Sequence, residues 1–306
     1  MRDIHIAMAT DRNYLVFVSI VITSLLDNFN REDRLTLHLL LNGSVVPDDL
    51  APLRELQKRR DFALQEHFID KERFIKDWGT DTAILYRCEL PNICPDLDRI
   101  IYLDCDLVVL DDIAKLWDLD LKDNVLAGVS DRAGRKTPAA SRVPENEYVN
   151  SGVLVMDLQK MRAVDAVKQM AHLFSTKREN FLFIDQDLLN HFFRGRIMLF
   201  PPQWNIFNSL FRHLPLENTY SNEELAEAFR HPGIAHFSDR YKPWLFFRSV
   251  HHPFASWFWH YAMQAPIPRS LKIKMFLKRF LWGRFKDSPD KRPWNYQMTP
   301  QPQGII

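Results

Sequence analysis

Arg99-Ile100-Ile101-Tyr102-Leu103-Asp104-Cys105-Asp106-Leu107-Val108-Val109-Leu110 is a hydrophobic run interrupted by two carboxylates. A buried strand ordinarily excludes both charges, because an unpaired buried carboxylate is heavily penalised. Residues two apart on a strand share a face, so Asp104 and Asp106 are expected to converge on one spot. Two anionic oxygens where a strand leaves a sheet are a place to hold a divalent cation. The plainer alternative is a strand end with two solvated acids. Cys105, between them, is expected to point into the core.

Outward from this stretch, strands and helices alternate. Ile4 to Ala9 reads as a strand, followed by the polar break Thr10-Asp11-Arg12-Asn13 and a helix from about Tyr14 to Leu26. That helix is apolar but too short to span a bilayer, and is expected to be buried. A strand from Leu35 to Leu41 ends at Asn42-Gly43, formally a glycosylation sequon with Ser44 but better read as a turn. A helix is expected over Asp48 to Arg60, a strand over Phe62 to Phe68, and a helix opened by Thr80 and carrying Ile84, Leu85 and Arg87. Further strands fall near Val125 to Val129 and Val149 to Asp157, with a helix from about Leu158 to Phe174. Such repetition predicts an α/β fold with a mostly parallel sheet covered on both faces. Ligands of such sheets bind beyond the carboxyl ends of the strands. Asp11, Asp104, Asp106, Asp131 and Asn150 all sit at or beside expected strand ends, so one crevice can hold them all.

With 306 residues the chain is long enough for one large domain and a small appendage. Its 40 basic and 39 acidic residues leave no global field for nucleic acid. Cys88, Cys94 and Cys105 show neither a Cys-x-x-Cys pair nor metal-ligand spacing, which points to a reducing compartment. No secretory signal pattern opens the chain, and a cytoplasmic location is expected. Arg132 to Glu147 is a polar loop that reads equally as a surface excursion or as a lid. Beyond Trp244 come the aromatics Phe246, Phe247, Phe254, Trp257, Phe258, Trp259 and Tyr261. Then Arg269 to Lys286 carries only basic charges around Ile273, Phe276, Leu277, Phe280 and Leu281 at helical spacing. A basic amphipathic helix of this kind is expected to lie on a membrane surface.

Four further segments join the aspartate pair: Asp11-Arg12-Asn13-Tyr14, Asn150-Ser151-Gly152-Val153, Asp185-Gln186-Asp187-Leu188-Leu189-Asn190, and His236 followed by Lys242-Pro243-Trp244. Singly each is weak. In this order they resemble glycosyltransferase family 8, retaining transferases that include lipooligosaccharide and lipopolysaccharide-core hexosyltransferases and glycogenin. The resemblance runs from Ile4 to about Trp244. It implies a GT-A nucleotide-sugar-binding fold, a mostly parallel mixed sheet flanked by helices, with a small helical C-terminal extension. With the composition beyond it, the chain is expected to divide into a catalytic domain over 1–247, an aromatic and basic extension over 248–290 that associates with membrane, and a disordered, proline-rich tail over 291–306.

The resemblance also implies Mn²⁺, with Mg²⁺ as the alternative ion, and UDP-galactose or UDP-glucose as donor. Asp104, Asp106 and His236 would be the metal ligands. Ala9, Asp11, Asn13 and Tyr14 would hold the uridine and ribose, with Cys105 beside them, and Lys242 the diphosphate. Arg87, Asp131, Asn150, Asp185 and Gln186 would surround the donor sugar. Asp239 departs from relatives that carry glycine near the phosphates, and a carboxylate there must turn away or pair with Arg240. An amide at position 186 is a poor nucleophile, so front-face attack is expected rather than a covalent intermediate. The acceptor implied is a lipid-linked bacterial glycan at the inner membrane surface.

Rival readings are weaker. A haloacid-dehalogenase-type phosphatase would carry Asp-x-Asp on an early strand with a downstream acidic motif. A nucleotidyltransferase would carry a glycine-rich loop after strand one. A non-catalytic sugar-binding protein would leave the metal ligands unexplained.

Overall fold

Apolar residues alternate along the early strands, and the alternation sorts them between two layers. On β1 Ile4, Ile6 and Met8 face one apolar layer and Ala7 the other; on β2 Leu35, Leu37, Leu39 and Leu41 oppose Leu40. A sheet with two buried faces needs helices on both sides, and the chain supplies them. The computed structural model describes residues 1–30, 32–131, 143–144, 147–208, 210, 219–238, 242–244, 252–273 and 277. Its strands are β1 (Asp3–Thr10), β2 (Arg34–Leu41), β3 (Ala63–Phe68), β4 (Arg99–Leu103), β5 (Leu107–Val109), β6 (Leu126–Ser130), β7 (Val149–Asp157), β8 (Ile197–Leu199) and β9 (Ile234–His236). Its helices are α1 (Leu15–Asn28), α2 (Ala51–Arg59), α3 (Lys71–Trp78), α4 (Leu90–Ile93), α5 (Ala114–Trp117), α6 (Leu158–Ala163), α7 (Ala166–Lys177), α8 (Ile184–Phe192), α9 (Asn222–Arg230) and α10 (Ala255–Gln264).

Seven strands form one sheet in the order β3-β2-β1-β4-β7-β6-β8, while β5 and β9 pair separately. All neighbours in the large sheet are parallel except β7, which runs antiparallel to both β4 and β6. This is the mostly parallel mixed α/β sheet expected from the sequence. The reversal matters for the site: it brings the start of β7, with Asn150 and Ser151, to the edge where β1, β4 and β6 end.

Three local expectations need correction. The aspartate run is not one strand: β4 stops at Leu103, and β5 begins at Leu107 and pairs with β9 rather than with the large sheet. Thr80 caps nothing; residues Ala83–Glu89 form a 3-10 turn entered from Thr82 and continued by α4. The helix expected over 158–174 breaks at Val164-Asp165, where Asp165 takes a left-handed conformation (φ 48°) and α7 starts afresh. α3, which the sequence reading passed over, is framed by Asp70, whose carboxylate accepts from the Glu72 and Arg73 amides, and by left-handed Gly79.

The apolar α1 is buried as expected, and its hydroxyls are satisfied inside. Thr23 donates to the Ser19 carbonyl at 2.6 Å and Ser24 to that of Val21 at 2.7 Å, while Ser24 also accepts from the Val109 amide. Asn42-Gly43 forms a turn, with the Ser44 amide donating to the Asn42 side chain. α10 packs against α1 in the same core: Phe254, Phe258 and Tyr261 are buried, and Asn28 donates to the Tyr261 hydroxyl at 2.9 Å. Among the described residues no helix is long and apolar enough to cross a membrane. The expected loop over 132–147, most of the basic helix and the tail lie largely or wholly outside the described residues.

On the opposite layer, buried Glu89 depends on its neighbours for charge compensation. Trp78 donates to it from Nε1 at 2.6 Å, Asn92 at 3.2 Å and Arg73 at 3.4 Å. Trp78→Phe keeps most of the apolar volume but strips one donor from a buried carboxylate. It should lower unfolding free energy by about 1–3 kcal/mol, read from the urea midpoint. An unchanged midpoint would show that the carboxylate does not need this donor.

Candidate active site

Leu103 ends β4, and the next three residues cross from the large sheet to the small one. The Asp104 amide donates to the Gly152 carbonyl at 2.8 Å, so the bend is pinned to β7. On the far side, the Phe237 amide donates to the Asp106 carbonyl at 2.8 Å. Register in the small sheet sets Leu107 opposite His236. That register delivers the imidazole to the carboxylates, and His236 Nε2 lies 3.1 Å from Asp106 Oδ1 and 3.7 Å from Asp104 Oδ2.

One oxygen from each carboxylate and one His236 nitrogen lie within 4.8 Å of one another. Hard oxygens joined by an imidazole suit Mn²⁺, and Mg²⁺ less well. The other imidazole nitrogen, Nδ1, is 2.9 Å from Asn205 Oδ1, and Asn205 Nδ2 donates to Asn150 Oδ1 at 2.9 Å. With Nδ1 donating to Asn205, Nε2 is the nitrogen turned toward both carboxylates, the position a metal ligand must take. Gly152 closes this pocket from below. A Cβ there would stand 2.2 Å from His236 Cε1 and 2.7 Å from Asp104 Oδ2, so only glycine fits. The residues present therefore fit a divalent cation.

Cationic side chains pair with each of the acids. Arg87 donates to Asp104 Oδ1 at 2.7 Å and to the Ser151 carbonyl at 2.6 Å, and pairs with Asp185 at 3.0 Å. Burial works against its charge, but Asp104 and Asp185 outweigh it and hold the guanidinium firmly protonated. Asp104 also accepts from the Tyr102 hydroxyl at 3.2 Å. Lys242 pairs directly with Asp106 and donates to the Phe237 carbonyl at 3.1 Å. Burial opposes ionisation of Asp106, yet Lys242 and His236 hold its carboxyl well below the usual range. Asp185 is raised, first by burial and then by Asp104, against the pull of Arg87.

Gln186, at the start of α8, is the best-anchored side chain here. Its Oε1 accepts from Asn150 Nδ2 at 3.1 Å and the Ser151 amide at 3.2 Å. Its Nε2 donates to Asp131 Oδ2 at 3.1 Å and the Tyr148 hydroxyl at 3.2 Å. An amide engaged at both ends is fixed in orientation and has no spare lone pair directed at a substrate carbon by default.

Two clefts meet at the carboxylates. One, of about 520 Å³, is lined by Ala9, Asp11, Tyr14, Arg87, Asp104 and Asp106 among others. The other, of about 300 Å³, lies against Asn150, Asp185, Gln186 and His236 and shares Ile84, Asp104 and Asp106 with the first. Asp11 turns its carboxylate back on its own loop, accepting from the Asn13 and Tyr14 amides at 2.9 and 3.0 Å. Asn13 is exposed beside the first cleft without lining it. Cys105 lines that cleft from its floor while its thiol donates inward to the Ala9 carbonyl at 3.2 Å, so the expectation that it points into the core holds. Burial and the flanking aspartates push that thiol up, keeping it protonated.

The site residues read from sequence thus come together, except that Asn13 stays at the rim; Asp131 joins the group through Gln186 and through its amide, which donates to the Tyr148 carbonyl at 2.8 Å. Sequence reading missed Tyr102, Tyr148 and Asn205. Tyr102 lies two residues before Asp104 on β4, so period-two reasoning applied backwards would have found it. Asn205 carries no local signal at all.

Comparison with known proteins fits this geometry. The model of the family described as "Glycosyl transferase family 8" matches residues 5–247. General stress protein A of Bacillus subtilis (strain 168) is 28% identical over 268 residues, 84% of this chain and 92% of that protein. A lipopolysaccharide 1,2-glucosyltransferase of Escherichia coli (strain K12) is 28% identical over 255 residues, 79% of this chain and 72% of that one. Among solved structures, the galactosyltransferase LgtC bound to donor and acceptor sugar analogues superimposes with a TM-score of 0.74 at 21% identity, covering 89% of this chain and all of that one. The bifunctional glycosyltransferase WbbM gives 0.75 at 18% identity, over 90% of this chain and 51% of the longer one. The fold is accordingly of the GT-A type, and with the family model spanning most of its length the chain belongs to glycosyltransferase family 8.

Proposed function

We propose that this protein is a retaining hexosyltransferase that moves galactose or glucose from a UDP-sugar, in the presence of Mn²⁺, to a lipid-linked glycan. The observation that carries the reading is the meeting of two clefts at Asp104 and Asp106, the carboxylates that cluster with His236. The larger cleft takes the uridine diphosphate, with Ala9, Asp11, Asn13 and Tyr14 at its nucleoside end and Cys105 as floor. The smaller one takes the sugar and the acceptor hydroxyl. The relatives named as lipopolysaccharide glucosyltransferases support a glycan acceptor of that class.

Asp104, Asp106 and His236 would hold Mn²⁺, which when bound supplies a Lewis acid for the departing diphosphate. The chain's own residues do the rest. Lys242 moves from Asp106 onto the diphosphate oxygens, so its charge acts where negative charge develops. Arg87 holds Asp104 and Asp185 in place and screens them from each other. Gln186, Asn150 and Asp131 form a polar wall that orients the sugar. Since Gln186 is saturated by protein partners, it positions rather than attacks, which supports front-face substitution assisted by the leaving phosphate. Attachment at the cytoplasmic face of the inner membrane through the extension 248–290 completes the reading. It is supported by the one-signed charge of Arg269 to Lys286.

Asp106→Asn should reduce Mn²⁺-dependent UDP-hexose hydrolysis by at least about 10³-fold, measured as UDP release. Activity equal to wild type would remove the metal assignment. Gly152→Ala should leave far-UV circular dichroism unchanged yet cost about 100-fold or more in turnover, because its methyl displaces His236 and Asp104 together. Retained turnover would mean that the pocket yields more readily than its contacts imply. Intact-mass spectrometry after quenching with UDP-hexose should find no adduct; a hexosyl group on Asp185 would replace front-face attack by double displacement.

A further inference from the structure

A second set of ligand-type side chains lies away from the carboxylates and shares no residue with them. His5, His38 and His67 stand on β1, β2 and β3. Register sets Ala7 opposite His38 and Leu40 opposite His67, so the three imidazoles form a diagonal row across adjacent strands. Cys94, just after α4, joins the row from the covering layer. His38 Nδ1 is 3.1 Å from His67 Nε2 and 3.6 Å from Cys94 Sγ. One ligand atom from each of His38, His67 and Cys94 lies within 4.8 Å of the others.

These separations are those of a metal cage. Zinc bonds of about 2.0–2.1 Å to nitrogen and about 2.3 Å to sulfur, at tetrahedral angles, put two nitrogens about 3.3 Å apart and nitrogen and sulfur about 3.6 Å apart. The orienting partner that a ligating histidine needs is present as well. His38 Nε2 is 3.0 Å from His5 Nδ1, and His5 Nε2 is 3.8 Å from Asp3 Oδ1. Donation from His38 Nε2 to His5 leaves the His38 Nδ1 lone pair facing His67 and Cys94. Burial lowers His38 to about 4, so its imidazole is neutral near pH 7. Beside the half-buried His67 lies a cleft of about 240 Å³, lined by Asp70, Arg73 and Glu89 among others.

We propose that His38, His67 and Cys94 form a structural zinc site that ties β2 and the edge strand β3 to the end of α4. Binding exchanges the Cys94 thiol proton, released to solvent, for a sulfur–metal bond. A soft thiolate with two imidazoles selects zinc over the Mn²⁺ or Mg²⁺ suited to the carboxylate site. The rival arrangement is a row of neutral, mutually hydrogen-bonded histidines with no ion.

The test uses full-length Asp106→Asn protein stripped with chelator, which disables the carboxylate cluster and keeps the two sites apart. Co²⁺ is titrated in and the thiolate-to-cobalt absorption in the near ultraviolet is followed. One equivalent should bind with that band, and zinc should displace it. Cys94→Ser should abolish the band, and His67→Gln, at a half-exposed position that leaves the core intact, should weaken binding at least about 10-fold. No thiolate band in the Asp106→Asn protein, or affinity unaltered by His67→Gln, would overturn the proposal.

Discussion

Charge compensation of Asp104 and Asp106 is the constraint around which the site is organised. Two carboxylates at the end of a buried strand cannot remain ionised without partners, and the fold brings them from distant elements. Arg87 comes from the turn before α4, His236 from β9 and Lys242 from the segment after it. Asp185 adds a third acid to the same cluster. Carboxylates therefore outnumber the permanent cations Arg87 and Lys242 among the described residues. A cluster left with net negative charge around a fixed imidazole is prepared for a divalent ion, and its geometry is set before any ion arrives. Preorganisation of this kind lowers the reorganisation needed when charge develops on a leaving group.

The sequence made the site legible through chemistry, and misread how it is assembled. Alternation along a single strand was to bring Asp104 and Asp106 onto one face. In the structure the strand ends at Leu103 and the carboxylates converge because the chain bends between sheets, pinned by Gly152 on one side and Phe237 on the other. The residue types were informative because an acid in an apolar run requires a reason wherever the backbone goes. The bend itself was not visible, since Leu107, Val108 and Val109 are equally good strand residues in either sheet. Helix ends failed for a related reason: the break between α6 and α7 falls at a left-handed Asp165, and no glycine or proline announces it.

What stayed hidden is what depends on register. Asn205 fixes the tautomer of His236, and Tyr148 with Ser151 locks Gln186, yet none of these stands in a pattern with the residue it serves. The histidine row is the clearest instance. His5, His38 and His67 lie 33 and 29 residues apart, and only the parallel pairing of β1, β2 and β3 makes them neighbours. Counting cysteine spacings gave no hint of a metal, because the neighbours of Cys94, at the end of α4, are histidines on β2 and β3. Contacts made across a sheet follow from topology, so a reading that recovers the topology but not the register stops one step short of them.

The aromatic stretch after Trp244 separates composition from exposure. Read along the chain, its density of Phe and Trp next to basic residues suggests one membrane-facing unit. In the fold, Phe254, Phe258 and Tyr261 are buried, Phe258 meets Phe237 edge-on at 5.5 Å, and Trp244 stacks on Phe17 at 4.0 Å. Phe254, Phe258 and Tyr261 are thus already removed from water by the protein itself. Trp244 also lies 5.6 Å from Lys242, so the aromatic packing holds the segment that carries this lysine of the candidate site. Phe254, Phe258 and Tyr261 thus belong to the core that supports the candidate site. The membrane attachment proposed above would therefore rest on the one-signed charge carried by the sequence from Arg269 to Lys286, which acts over a Debye length without needing buried area.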